Sequence, residues 1–195
     1  FNEWMPLALT GDRNIQFNIG IMFEHGQGVD QSYVEAAKWY RKAAEQGMPQ
    51  AAFNLGILYD LGHGVSQDYS KSAKWYLLSA EQGFMNAQRN LAIAYRDGTG
   101  VRQDYEQAVK WHRKAAEQGD IVSMINLDVI HVQNLSNSIK AKEALAWLQQ
   151  ASELGSPLAQ SKLGIRYITG SGVEKDYSKG VSYVRQAATN GFNNA

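Results

Sequence analysis

The chain has 195 residues, and its 19 basic side chains balance its 19 acidic ones, so it lacks the excess positive charge on which non-specific nucleic-acid binding depends. It has no cysteine, which excludes disulfides, thiolate chemistry and cysteine-ligated zinc but is compatible with the periplasm and the cytosol alike. Apolar residues recur at helical spacing and form no run near the roughly 20 that a membrane-spanning helix needs, so we expect neither nucleic acid as a partner nor membrane insertion.

One helix-like stretch recurs along the chain at a fixed distance. It is written "EAAKWYRKAAEQG" at 35–47, "KSAKWYLLSAEQG" at 71–83 and "EQAVKWHRKAAEQG" at 106–119. Its tryptophans and its closing glycines each follow one another at 36 residues: Trp39, Trp75, Trp111 and Trp147, and Gly47, Gly83, Gly119 and Gly155. The same step leads to Tyr183 and Gly191. A fixed period of this length indicates an elongated repeat array in place of ordinary separate domains.

The predicted elements form one continuous array over 1–195. Residues 1–11, with "WMPLALTG", match the end of a preceding repeat. Five full repeats follow at 12–47, 48–83, 84–119, 120–155 and 156–191, of which the fourth is degenerate. Residues 192–195, "FNNA", match the start of a further repeat, so we expect the chain to be cut from a longer array.

Each repeat is predicted to contain two amphipathic helices. In 48–83 the apolar faces are Ala51, Leu55, Leu58 and Tyr59 in the first helix, and Ala73, Tyr76, Leu77 and Ala80 in the second. Glycines inside first helices predict close approach of the paired helix: Gly20, Gly56 and Gly164. The repeated tryptophans are expected to fill the joints between hairpins together with Tyr33, Tyr69, Tyr105 and Tyr177. Since neither helix can bury its apolar face alone, neighbouring repeats must stack.

The stretch "AAFNLGILYDLGHGVSQDYSKSAKWYLLSAEQG" carries three elements that recur in register: "LG-x-x-Y-x-x-G-x-G-V", "DY" and "A-x-x-W-Y-x-x-A-A-E-x-G". In these elements the chain resembles the Sel-one-like repeat, a tetratricopeptide-like family of helical hairpins. The resemblance implies an all-α fold, a right-handed α-solenoid of stacked antiparallel helix pairs with first helices on the concave surface and second helices outside. Because most members are adaptors, it also implies protein binding and no catalysis, metal or cofactor.

A leucine or isoleucine recurs at one position of each first helix, and the residue directly before it is polar in every repeat. This polar row consists of Asn18, Asn54, Asn90, Asn126 and, in the fifth repeat, Lys162. In the solenoids that this chain resembles, such asparagines face the groove and hold an extended peptide by its backbone. A carboxamide offers both a donor and an acceptor, so it can bind a peptide N–H and C=O together. The alternative is that these side chains bond only within the scaffold or to water.

The same resemblance places further side chains around this row. One residue earlier lie Phe17, Phe53, Arg89, Ile125 and Ser161, and three residues later lie Ile21, Ile57, Ile93, Val129 and Ile165. Phe17 and Phe53 are expected to be exposed anchors, because other residues already fill the core positions of their helices. With Arg89 and Arg96 they have the composition of an interface. We therefore predict a groove that is apolar in repeats one and two, basic in repeat three and apolar in repeat four.

The fourth repeat departs from the pattern. It has Asp128 where others have glycine or alanine, His131 where they have Tyr or Phe, and "NLSNS" in the turn in place of "GxGV". Asn134 can replace a positive-φ glycine and Ser136 does so less well, so the repeat is either drifted with a reshaped loop or a specialised contact point. Asp128 and His131 share a helix face but have no third ligand or nucleophile nearby, so we expect no metal site and no catalytic site.

These observations favour a non-catalytic protein-interaction module that binds a partner protein or extended peptide in its concave groove. A more specific alternative is an immunity or inhibitor protein that covers a toxic enzyme. The alternative of another class is a hydrolase that uses repeat four, and a third is a spacer between domains. We expect a bacterial protein that needs no cofactor; its compartment stays open, with the periplasm or export favoured over the cytosol.

Overall fold

The structure is a computed structural model that describes residues 4–191. These residues form eleven α-helices and no strand, which confirms the predicted all-α fold class. The helices are α1 Trp4–Leu9, α2 Arg13–His25, α3 Tyr33–Glu45, α4 Pro49–Leu61, α5 Tyr69–Glu81, α6 Met85–Asp97, α7 Tyr105–Glu117, α8 Ile121–Val132, α9 Ala141–Glu153, α10 Pro157–Thr169 and α11 Tyr177–Thr189. The predicted start of a further repeat at 192–195 lies outside the described residues.

Capping side chains and glycines determine where the helices begin and end. Asp12, Ser32 and Asp68 accept hydrogen bonds from backbone N–H groups of the first turns of α2, α3 and α5. Four first helices end at glycines in the left-handed conformation: Gly26, Gly62, Gly98 and Gly170. In these helices the limits are therefore specified by residues next to the helix ends.

The helices form two compact units that divide between Asp104 and Tyr105. In the first unit, each helix from α1 to α6 packs against the next one in the chain. In the second unit, the helices from α7 to α11 do the same. Each unit is thus held together by joints between sequence neighbours, the organisation expected of a repeat protein.

Every first helix of the first unit contributes the residue at the same repeat position to the core. These residues, Ile19, Leu55 and Leu91, are each at most 1% exposed. Helix α1 makes the contact that a second helix makes elsewhere. Gln16 Nε2 donates to the carbonyl of Ala8 at 3.1 Å, and Gln88 Nε2 donates to the carbonyl of Ala80 at 3.2 Å. Helix α1 consequently occupies the place that a second helix takes elsewhere.

Glycine inside a first helix lets the paired helix come into contact. A Cβ built on Gly56 would lie 2.7 Å from the ring of Tyr76, and one built on Gly20 would lie 2.6 Å from the ring of Tyr40. Both tyrosines are buried. The expected close approach is therefore present, and its partner in both repeats is an aromatic ring.

The loop after a first helix lies on the preceding repeat. Gly64 has φ +69°, and a Cβ at this position would overlap the backbone of Tyr33 at the start of α3. Gln67 fixes the same loop, because its Nε2 donates to the carbonyl of Asp60 at 2.8 Å and to the hydroxyl of Tyr69 at 2.9 Å. Gln31 makes the equivalent bonds one repeat earlier. The sequence analysis did not single out these glutamines, although they recur with the period.

Most of the repeated aromatic side chains pack as expected. Trp39 and Trp111 are buried, and Trp75 and Trp147 are half-buried. Tyr69 differs, with 43% of its surface exposed. The ring of Tyr33 is covered by that of His63, whereas the loop over Tyr69 carries Thr99 at the corresponding position and leaves the ring open. Tyr177 is also exposed, and no loop among the described residues lies over it.

The degenerate repeat contains a buried ion pair. Asp128 on α8 and Arg166 on α10 are 2% and 8% exposed, and the guanidinium of Arg166 donates to the carboxylate of Asp128. Burial raises the pKa of Asp128, and the charge of Arg166 is the strongest influence that opposes this rise. The pair explains why an aspartate is tolerated at a buried glycine position.

The turn of this repeat is rebuilt around polar side chains. Asn134 adopts φ +52°, as glycine does at this place in other repeats. Ser136 Oγ donates to Glu106 Oε1 at 2.8 Å, and the Asn137 N–H donates to the same oxygen at 3.3 Å. These contacts support the interpretation of a drifted repeat with a reshaped loop.

We predict that Gly56→Ala lowers the free energy of unfolding by about 1 to 3 kcal/mol, because the added methyl group overlaps the Tyr76 ring. Urea unfolding followed by circular dichroism measures the change. In a Tyr76→Leu background the same substitution should cost less, since the ring that obstructs the methyl group is gone. An equal cost in both backgrounds contradicts the proposed contact.

We predict that Arg166→Leu destabilises the second unit by about 3 to 5 kcal/mol at neutral pH, because it leaves the Asp128 carboxylate buried without its partner. The double variant Asp128→Gly with Arg166→Leu should recover most of the loss. The folded-state pKa of Asp128 is already raised and rises further without Arg166, so the defect should shrink as the pH falls. Urea unfolding across acidic and neutral pH measures this dependence, and a defect independent of pH argues against it.

Candidate functional site

In the first unit the asparagine row lies along the edge of the core. Asn18, Asn54 and Asn90 stand on α2, α4 and α6, and all three side chains are half-buried. Each is followed directly by a fully buried core residue. The three carboxamides are therefore held at equivalent positions and remain partly open to solvent.

A buried tyrosine lies beside the asparagine of the following repeat. The hydroxyl of Tyr40 donates to the carboxylate of Glu24, and the Asn54 side chain lies close to the same hydroxyl. Burial, followed by the hydrogen bond to Glu24, raises the pKa of Tyr40 far above its ordinary value, while Asn54 acts in the opposite direction.

The next repeat has the same network with one link open. Tyr76 is buried and lies beside Asn90, as Tyr40 lies beside Asn54. Asp60 stands at the position of Glu24 but is shorter by one methylene, and among the described residues its carboxylate makes neither a hydrogen bond nor an ion pair. Burial raises the pKa of Tyr76 and that of Asp60.

A cavity of about 230 Å³ lies at this open link. Its walls come from the end of α4, from α5, from α6 and from the loop that follows α6: Asp60, Tyr69, Ser72, Ala73, Tyr76, Asn90, Ile93, Ala94 and Thr99. The cavity thus joins a member of the asparagine row to an unpaired carboxylate.

The prediction that Phe17 and Phe53 are exposed is wrong, because both side chains are half-buried. Phe17 lies 5.7 Å from the ring of Tyr40, and Phe53 lies 5.8 Å from the ring of Tyr76 and 5.2 Å from that of Phe84. The prediction of exposed rings rested on the core positions being filled by other residues. Tyr40 and Tyr76 in the second helices nevertheless each pack against one phenylalanine ring.

The basic residues of repeat three are partly neutralised. Arg89 and Arg96 are half-buried. Arg96 binds Asp97 through two bonds, Nε to Oδ1 at 2.7 Å and the terminal nitrogen to Oδ2 at 2.9 Å. The predicted basic character of this segment is therefore reduced by a neighbouring carboxylate.

The second unit has different contacts at the equivalent repeat positions. Asn126 Nδ2 donates to the carbonyl of Val122 in its own helix at 3.0 Å. Ile125 is half-buried, and so is Lys162, whose charge acts on Asp128 to lower the pKa of that carboxyl. Ser161 is buried, so it does not contribute to an open face.

Chemistry-bearing clusters are scarce in the part of the chain from residue 4 to residue 191. It holds no group of three or more His, Cys, Asp or Glu side chains placed to bind a metal. His131 lies with Nδ1 3.3 Å from the carbonyl of Ile139, and Asp128 is bound by Arg166. None of the helices in this part has both the length and the apolar character needed to cross a membrane.

The Sel1 repeat model matches most of the chain, at residues 16–48, 49–84, 86–120, 140–156 and 157–192. In the fourth repeat the match is limited to 140–156, the region of α9. No curated protein sequence matches the chain. Sel1 repeat proteins typically mediate protein–protein interaction and are generally non-catalytic.

Two bacterial structures are similar to this chain over most of its length. The chain is similar to c5321, a protective antigen of uropathogenic Escherichia coli with an SLR fold, at 36% identity and a TM-score of 0.91 over 96% of this chain and 40% of that one. It thus spans about 40% of the length of that protein. A Sel1 repeat protein from Oxalobacter formigenes is 31% identical, with a TM-score of 0.90 over 97% of this chain and 78% of that one.

A more distant likeness concerns the fold alone. The immunity protein Pa5087 from Pseudomonas aeruginosa is 22% identical, with a TM-score of 0.51 over 93% of this chain and 67% of that one.

The family of the chain follows from the five repeat matches and the two more similar structures. The helix pairs, the glycine–tyrosine contacts and the recurrent loops agree with it. The chain belongs to the Sel1 repeat family.

Proposed function

We propose that this protein is an adaptor that binds an extended segment of a partner protein along the asparagine row. The observation that carries the proposal is the set of half-buried carboxamides at one repeat position, Asn18, Asn54 and Asn90. A row of such groups can pair with successive peptide units without depending on the ligand's side chains. The proposal extends the general role of Sel1 repeats to a particular face of this chain.

The scaffold contact and ligand binding are compatible. The Asn54 side chain lies close to the Tyr40 hydroxyl, and a carboxamide has two donors and an acceptor, so it can contact the scaffold and a ligand together. The two interpretations of the row therefore do not exclude each other.

The other site residues have secondary parts in the proposal. Phe17 and Phe53 present the outer parts of half-buried rings beside the row. Arg89 and Arg96 contribute charge at the edge of repeat three. In the second unit, taken by itself, Asn126, Ile125 and Lys162 stand at the equivalent repeat positions, and Lys162 offers donors only, so it would select a carbonyl or carboxylate.

The fold likeness to Pa5087 supports a second candidate, an immunity protein that covers a toxic enzyme. This version requires a tight one-to-one partner encoded by a neighbouring gene, and it would act in the periplasm or after export. The hydrolase alternative loses one of its two candidate residues, because the carboxylate of Asp128 is bound by Arg166 inside the protein. A spacer would have no ligand on the row.

We predict that Asn18→Ala, Asn54→Ala and Asn90→Ala together abolish capture of a partner that the parent chain retains from a lysate of the source organism. Each lost carboxamide removes two hydrogen bonds to a peptide, and about 1 kcal/mol for each bond makes the combined effect larger than 100-fold. Mass spectrometry identifies the partner, and calorimetry with the purified partner measures the change.

Two controls separate binding from folding. Circular dichroism must give the same helix content for parent and variant. Asn14→Ala provides a matched substitution at an exposed asparagine on α2, outside the row, and should leave capture unchanged. Retention of the same partner by the triple variant contradicts the proposed binding face.

A further inference from the structure

Two lining positions of the cavity beside Tyr76 depart from the repeat, and a third, Asp60, lies at a position that differs in every repeat. Ala94 stands where the other first helices have Met22, Leu58, Ile130 and Arg166, so a large side chain is missing from the wall formed by α6. Ser72 stands where the other second helices have Ala36, Ala108, Ala144 and Gly180, so the wall formed by α5 gains a hydroxyl. Asp60 replaces Glu24 and does not close the gap. One change opens space, and the other two line it with oxygen.

Two polar side chains at the cavity, Ser72 and Asp60, make no well-formed hydrogen bond to the described residues. Ser72 is 2% exposed, and its Oγ lies beside the Tyr76 hydroxyl without a well-formed hydrogen bond. Asp60 makes no side-chain bond to any described residue, whereas Glu24 at the equivalent position accepts from Tyr40. Buried polar groups are nearly always paired, so the buried Ser72 hydroxyl, with the half-buried Asp60 carboxylate at the same cavity, indicates that a partner is supplied from outside.

The chemistry of the walls selects a cation. The Asp60 carboxylate can only accept hydrogen bonds, and the hydroxyls of Ser72 and Tyr76 and the oxygen of Asn90 can accept as well. The exposed ring of Tyr69 offers a face on which a planar cation can stack. Guanidinium has five donors in a plane and suits both features better than an ammonium group does.

The size of the cavity favours one side chain over a whole small molecule. Its volume of about 230 Å³ is below the range of roughly 300 to 1,000 Å³ that is typical of small-molecule sites. It also opens beside Asn90, a member of the row on which the proposed peptide lies. A side chain from that peptide would therefore reach it directly.

We propose that this cavity binds an arginine side chain of the partner protein, with the guanidinium on Asp60 and against Tyr69. This inference rests on the proposed function, because it names the residue that the bound segment places between repeats two and three. It makes Asp60 the residue that determines specificity, whereas the asparagine row supplies contacts that do not depend on sequence.

A titration of the isotope-labelled full chain with Nα-acetyl-L-argininamide at fixed ionic strength tests the site by nuclear magnetic resonance. We expect saturable shifts of the Ser72 and Thr99 amides and of the Asn90 side chain, with millimolar dissociation. The uncharged isostere Nα-acetyl-L-citrullinamide should bind at least about 10-fold more weakly, since it lacks the charge-assisted bonds. Absence of saturable shifts, or equal shifts with the two compounds, overturns the proposal.

A matched pair of variants locates the charge. Asp60→Asn should lose the saturable shifts, and Glu24→Gln, the same change one repeat earlier, should retain them. Retention by Asp60→Asn overturns the proposal. Once a partner is identified, a chain that loses it through the asparagine substitutions but keeps it with Asp60→Asn preserves the binding face and rejects the arginine site, so the two failures are distinguishable.

We also predict that Asp60→Asn does not lower the melting temperature at neutral pH. Burial raises the folded-state pKa of Asp60, so its ionised form is disfavoured in the folded chain and the neutral amide relieves that cost. Differential scanning calorimetry measures the shift. A marked decrease in melting temperature would mean that Asp60 holds the scaffold, and it would remove the carboxylate from the binding argument.

Discussion

The contact between a helical glycine and the ring of a buried tyrosine controls the geometry of the first two repeats. Because Gly20 and Gly56 lack a Cβ, the paired helices approach until the rings of Tyr40 and Tyr76 lie against the backbone. That approach brings each tyrosine hydroxyl to the asparagine of the following repeat. One packing constraint within a hairpin thereby positions a polar group in the next hairpin, which links the core to the candidate binding face.

The period of the sequence was sufficient to predict two helices in each repeat. Apolar spacing, capping residues and turn glycines are local signals, and each acts over a few residues in the same way in every repeat. The row formed by Asn18, Asn54 and Asn90 was also found by counting. The burial of Phe17 and Phe53 was not, because it depends on rings contributed by another helix and by the next repeat.

The features that sequence reasoning missed are differences between repeats. The exchange of Glu24 for Asp60 is chemically conservative, yet it separates a closed hydrogen-bond network from an open cavity. Arg166 occupies a position that is apolar in the other repeats, and only the structure relates it to Asp128. A comparison of equivalent positions along the chain identifies Ser72, Ala94 and Arg166 as exceptions. Their contacts, however, depend on which of these residues lie close together in the fold, and the sequence does not show this.

The ion pair between Asp128 and Arg166 also restricts how this array can change in length. Repeats that meet through glycine, alanine and tyrosine bury no ion pair at the joint, so a duplication or deletion among them separates no buried charges. The fourth and fifth repeats differ, because each holds one half of a buried charge pair. A recombination event that separated them would leave a charge without its counterion. This pair of repeats is therefore expected to be inherited as a single block, while copy number varies elsewhere in the array.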